Sequence, residues 1–142
     1  MESAGNEWSI QDGEDTEKSW QLGLPANSLD SQAHSPTNAW GTNLRDETVG
    51  YMFSNLISPA LELKNGNLAT LTFWHNFDFT GEALWEYGKV LLFTNTQTQP
   101  IELANFEGDF SLGWEEMEFD LTPYIGRVIH LVWQYEMFDL SL

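Results

Sequence analysis

The feature that most constrains this chain is a strict alternation of apolar and polar side chains. In residues 68–79, Leu71, Phe73, His75, Phe77 and Phe79 share one side, while Thr70, Thr72, Trp74, Asn76 and Asp78 share the other. In residues 127–138, Ile129, Leu131, Trp133, Tyr135 and Met137 alternate with His130, Gln134 and Glu136. In residues 114–121, Met117, Phe119 and Leu121 oppose Glu116, Glu118 and Asp120. A repeat of two belongs to a strand with one face buried, because successive strand side chains point to opposite sides. Residues 88–95 form a shorter apolar, β-prone run. No segment sustains a helical period, and residues 121–126 read as one short turn of helix. Turn-forming clusters at residues 64–67, 80–81, 107–109 and 122–123 separate the runs. Many strands joined by turns predict an all-β fold, a sandwich or a barrel.

At 142 residues the chain suits one domain able to bury a core without staples. Residues 1–18 read as an acidic N-terminal segment with a short strand near 7–11 and a mobile turn at 12–15. Residues 19–142 read as the sandwich domain, opened by Trp20 and Leu22. Seven Trp and nine Phe argue for a packed interior rather than disorder. The absence of cysteine excludes disulfides, thiolate metal sites and thiol nucleophiles. With 22 acidic against 5 basic residues the formal charge is −17, which repels phosphate backbones and excludes nucleic acid as a partner. Anionic membrane surfaces are disfavoured for the same reason. No run reaches the roughly 18 apolar residues of a membrane span, so membrane insertion is not expected. Residues 1–13 are polar and acidic, unlike a signal peptide, so export would need a signal outside this chain.

Several short motifs occur in a definite order. They are Trp20-Gln21-Leu22-Gly23, Ala33-His34-Ser35, Ala39-Trp40-Gly41-Thr42-Asn43-Leu44, Tyr51, Leu56-Ile57-Ser58-Pro59 and Ala69-Thr70-Leu71-Thr72-Phe73-Trp74-His75. Later come Tyr87-Gly88-Lys89-Val90, Trp114 and Asp120-Leu121-Thr122-Pro123-Tyr124-Ile125-Gly126, then the strand 128–135. Over roughly residues 20–138 this order resembles MAM-like modules of bacterial exported proteins, including those attached to immune-inhibitor-A-type metallopeptidases. The resemblance implies an antiparallel two-sheet β-sandwich, a jelly roll of the concanavalin-like or MAM-like kind, secreted or on the cell surface, in an accessory role of adhesion, targeting or spacing. It implies no active site. Pro36 stands where the family has Gly, and the family's final Trp-x-x-Asp-Asp-type strand has no counterpart before Leu142. The expectation is therefore a sandwich lacking its last strand, or one completed by strand pairing with another chain at the C-terminal edge.

The residues offer little catalytic chemistry. His34, His75 and His130 are scattered and lack metal spacing. His75 reads as a core or edge histidine on the Phe73–Phe77 face. His34-Ser35 lacks the surroundings of a nucleophile. Glu115, Glu116 and Glu118 read as solvated carboxylates and do not match a glucanase motif. Calcium is the one cofactor considered, with Asp78, Glu82 and Glu86 as ligands. Trp85, Trp40 and Trp114 are the candidate ligand-binding residues. Trp85 leads, because it reads as part of a polar loop at 81–87, whereas Trp20, Trp40 and Trp133 also suit a core. The sequence thus points to a non-catalytic binding or adhesion module with an extracellular glycan or protein as ligand. A carbohydrate-binding module, a jelly-roll glycoside hydrolase and a self-associating structural domain are the alternatives. Contacts are assigned to the loops 29–38, 44–50, 80–87 and 105–113.

Overall fold

The computed structural model describes residues 7–27, 29, 33–34, 38–44, 49–81 and 83–139. The described chain is built from strands β1 (Ser9–Asp12), β2 (Gln21–Gly23), β3 (Ala39–Gly41), β4 (Tyr51–Ile57), β5 (Leu61–Glu62), β6 (Thr70–His75), β7 (Trp85–Thr94), β8 (Ile101–Glu107), β9 (Glu115–Asp120) and β10 (Val128–Phe138). A single turn of 3-10 helix at Thr122–Tyr124 precedes β10. Among the described residues no helix is long and apolar enough to cross a membrane.

β1, β4, β10, β7 and β8 lie side by side in that order as one antiparallel sheet, and β5 joins it beside the start of β10. A second layer consists of two separate antiparallel ladders, β2–β3 and β6–β9. β10 is the axis of the large sheet. It pairs with β7 from Ile129 to Phe138 and with β4 from Val132 to Phe138. Its odd-numbered residues face the second layer. There Leu92, Ile129, Leu131 and Leu121 form a buried cluster against which Leu71 and Phe119 pack. The Phe73 ring meets Trp133 edge-on at 5.3 Å, and Phe79 lies 5.7 Å from Tyr135, so aromatic rings join the two layers. The molecule is an all-β antiparallel sandwich. Gly88 makes part of this closeness possible, since a Cβ there would sit 3.1 Å from the Phe79 ring.

Polar side chains fix the ends. Ser54, fully buried on β4, donates to Asp12 at 2.6 Å and accepts the Trp20 backbone N–H, while its carbonyl accepts the Trp20 indole N–H at 3.0 Å. Ser58, in the link between β4 and β5, accepts the Leu131 N–H of β10 on its hydroxyl at 2.9 Å. Ser111 does the same beyond β6, taking the Phe77 N–H. Gly126, at φ +92°, turns the chain from the 3-10 helix into β10 and donates to the Leu63 carbonyl.

Four expectations are corrected. β10 offers no open edge for another chain, because β4, β5 and β7 hydrogen-bond to both of its sides. β7 starts at Trp85, so residues 85–87 are strand rather than loop, and β8 extends through Glu107 into the segment assigned to a loop at 105–113. The acidic turn after β1 is held against β4: the Gly13 N–H donates to the Phe53 carbonyl, and Asp12 accepts from Ser19 and Ser54. Much of the loops 29–38 and 44–50 lies outside the described residues.

Leu92, fully buried at the centre of the interface, tests the sandwich. Leu92→Ala is expected to cost about 2–5 kcal/mol in urea denaturation, and Leu112→Ala, at an 82% exposed site, under about 0.5 kcal/mol. Equal effects would contradict the packing described.

Candidate functional site

Among the described residues, an open groove lies between β3 and β6 of the second layer. Its two adjoining parts measure about 500 and 330 Å³ and share Trp20, Trp40, His75, Trp114 and Trp133. The floor is the inner face of the large sheet, with Leu56, Val90, Gly88, Trp133 and Tyr135. Four of the residues singled out in the sequence meet here: Trp40, Trp114, Asp78 and Glu86 all line it. Trp40 lies in β3, with its ring 6.1 Å from Trp8, which in turn lies 5.7 Å from Trp133. Its indole N–H is buried and has no acceptor among the described residues. Trp114 precedes β9 and sits 6.1 Å from His34, which stacks on the exposed Trp74 at 4.0 Å. His75 packs against Phe73, Phe77 and Phe106, and burial lowers its pKa, as suits a neutral core histidine.

Glu86 comes from the inner face of β7 and accepts the Tyr135 hydroxyl. Burial pushes its carboxyl above the ordinary 4.5; the Tyr135 hydrogen bond opposes this, and the nearby Asp78 charge adds to it. The Tyr135 hydroxyl is in turn pushed far up by burial and by Glu86. Asp78 is exposed and held low by hydrogen bonds from the Thr80 hydroxyl and N–H in a local turn. Glu82 lies outside the described residues. Among the described residues no three acidic or histidine side chains gather as a metal would require. Asp78 and Glu86 line the same groove, and calcium would need further oxygens beside these two carboxylates.

Trp85 lies elsewhere. It starts β7 on the solvent face of the large sheet, 40% exposed, with its ring stacked on Phe138 at 4.8 Å and 18°. The register extends this contact into ordered rows. Trp85, Phe138 and Tyr51 cross β7, β10 and β4 in line, with Tyr87, Glu136 and Phe53 in the next row and Lys89, Gln134 and Asn55 in the third. Glu136 is clamped between two phenols: Tyr87 donates to one oxygen at 2.7 Å and Tyr51 to the other at 3.1 Å. Burial and this carboxylate raise the pKa of both tyrosines. Gln134 donates to Asn55 at 3.0 Å, and Lys89 pairs with Glu102 at 3.3 Å. Sequence reasoning missed Glu136, Tyr51 and Tyr87. The one signal was the polar phase of β10, which placed Glu136 on the wet side.

Two outcomes check the groove. Because the folded state raises the Glu86 pKa, it favours the protonated form. That stability is complete below about pH 4.5 and is lost as pH rises through the folded value. Glu86→Gln, which keeps a hydrogen-bonding partner for Tyr135 but cannot ionise, is expected to match wild type near pH 4 and melt higher at pH 7. Calcium at about millimolar levels is expected to leave the melting temperature unchanged, and a calcium-dependent rise would establish the cation site.

No protein-family model matches the chain, and no curated protein matches it. Solved structures do. The K1 cleaved adhesin domain of Lys-gingipain from Porphyromonas gingivalis W83 superposes with a TM-score of 0.58 at 18% identity, over 94% of this chain and 90% of that one. The K2 and K3 cleaved adhesin domains of Lys-gingipain each give 0.55 at 16% identity, over 94% of this chain and 91% of theirs. At such identities the likeness is one of fold: this chain has the β-sandwich of these adhesin domains.

Proposed function

We propose that this chain is a non-catalytic accessory module of the adhesion kind, belonging to an exported or cell-surface protein, and that it holds a neutral glycan on the solvent face of its large sheet. The carrying observation is the Glu136 carboxylate, fixed by Tyr51 and Tyr87 between the stacked Trp85–Phe138 pair and the Gln134 amide. A sugar ring presents an apolar C–H face and a rim of hydroxyls. The stacked Trp85–Phe138 pair suits the first, and Glu136 and Gln134 suit the second, since a carboxylate accepts hydrogen bonds and an amide both accepts and donates them. Strand pairing locks these side chains in place, so little ordering cost remains at binding. The fold shared with adhesin domains supports the adhesion role, and the motif order over residues 20–138 supports kinship with MAM-like modules.

A glycan array followed by titration tests this reading. Trp85→Ala is expected to weaken the best glycan about tenfold, equivalent to about 1.4 kcal/mol. Glu136→Gln should weaken it similarly, while Trp114→Ala in the groove leaves it unchanged. Retention of no glycan, or full affinity in Trp85→Ala, would sink the proposal.

Glu86 and Asp78, shifted in opposite directions within one groove, favour glycoside hydrolysis as a second reading. Asp78 owes its shift to its own turn, so the non-catalytic reading is preferred. Polysaccharides incubated with the protein are expected to release no reducing ends. Release abolished by Glu86→Gln would establish the hydrolase instead.

A further inference from the structure

We propose that Asn65 is a site of spontaneous covalent modification: the Gly66 nitrogen displaces its side-chain amide, and the turn between β5 and β6 becomes a mixture of aspartate and iso-aspartate. The residue pair supplies the chemistry. Bonding an asparagine Cγ to the next backbone nitrogen closes a stable ring, provided the two atoms can come within about 3–3.5 Å. Glycine after the asparagine favours that approach, because it has no Cβ to crowd the nitrogen or restrict the backbone. The structure leaves the approach open. Residues 64–68 are all exposed, and Asn65, Gly66 and Asn67 form a bend. Among the described residues, the hydrogen bonds of this connection stop at Leu63, which bonds Arg127 and Gly126, and resume at Ala69, which bonds Leu121 and Thr122. Between them none holds the Asn65 amide or the Gly66 N–H. A Cβ added to Gly66 would meet only the Lys64 carbonyl, at 4.0 Å.

Elsewhere the fold holds the same chemistry in check. Asp12-Gly13 could close the same ring, but the Gly13 N–H donates to the Phe53 carbonyl at 2.9 Å, and the Asp12 carboxylate accepts from Ser19 and Ser54. Asn67 shares the exposed turn, yet the branched side chain of Leu68 crowds the nitrogen it would need. Asn55 and Asn105 lie within β4 and β8, where the ladder fixes an extended backbone. The step at Asn65 needs water alone. The Gly66 nitrogen gives its proton to solvent and bonds Cγ. The Cγ–Nδ2 bond breaks, and the amide nitrogen takes up a proton and leaves as ammonia. Water then opens the ring at either carbonyl. One opening gives aspartate, and the other gives iso-aspartate, whose main chain runs through the former side chain. Either product adds a negative charge to the −17 already present, beside Lys64, one of only 5 basic residues. The iso form lengthens a connection that carries no hydrogen bonds between its anchored ends, so the sandwich keeps its stability. The glycan face is not involved, because Trp85 and Phe138 lie at the other end of β10 from β5.

The test incubates the whole folded protein at physiological temperature. Peptide mapping by mass spectrometry follows each asparagine, and enzymatic methylation of iso-aspartyl carboxyls reports the second product. Asn65 is expected to convert at least about tenfold faster than Asn67, and faster still as pH rises, since the attacking nitrogen must lose its proton. Gly66→Val should slow conversion by at least about tenfold at an unchanged melting temperature. Asp12 should yield iso-aspartate only after unfolding in urea, and the modified protein should melt with the unmodified one. Asn65 left intact over weeks, equal rates at Asn65 and Asn67, or an unchanged rate in Gly66→Val would each overturn the inference. Iso-aspartate at Asp12 of the folded protein as fast as at Asn65 would show that the residue pair alone sets the rate, and would overturn the part assigned to the open turn.

Discussion

The double pairing of β10 is the constraint on which the rest depends. Eleven residues, Val128–Phe138, lie between β4 and β7, and the register of that contact decides the content of both faces at once. Odd positions place Ile129 and Leu131 in the dry core and Trp133 and Tyr135 under the groove. Even positions place Gln134, Glu136 and Phe138 on the solvent face. A slip of one residue would exchange the two sets, exposing Ile129 and burying Glu136. Burial of Ile129 at 0% and Leu131 at 2% makes that slip costly, so hydrophobic packing at one end of β10 sets the chemistry at the other.

The strands visible in the sequence were those with one wet face. β6, β9 and β10 alternate because the second layer or the core covers only one side of each. β4 does not alternate: Met52, Ser54, Asn55 and Leu56 are all buried, so Tyr-Met-Phe-Ser-Asn-Leu-Ile carries no period of two. β8 was missed for another reason. A bulge in its pairing with β7, between Val90 and Leu91, shifts the phase, so Leu103 and Ala104 sit side by side in an otherwise alternating run. Both are tertiary effects that no window of residues can report.

The candidate site was legible as residue types but not as places. Tryptophans stood out, yet whether each faces a groove, a core or open water is a matter of strand parity. From sequence alone Trp85 belongs to a polar loop at 81–87, whereas its pairing with Phe138 makes it the first residue of β7. Trp40, Asp78, Glu86 and Trp114 come from four separate segments and meet only because two short ladders flank one gap. The clamp on Glu136 joins residues 85 and 49 positions apart in the chain, a separation at which sequence pattern carries no information.

The manner in which the partly buried carboxylates are held links the two surfaces. Glu86 and Glu136 each accept a tyrosine hydroxyl, a neutral donor that fixes the carboxylate without cancelling its charge. A guanidinium would have neutralised the site, but the chain has only five basic residues to distribute. Tyrosine therefore leaves both the groove and the sheet face rigid and negative. Anionic sugars would meet Glu136 at short range within a field of −17, while neutral glycans would not. The excess of acid, which at first only excluded nucleic acid, then becomes the property by which the solvent face discriminates among sugars.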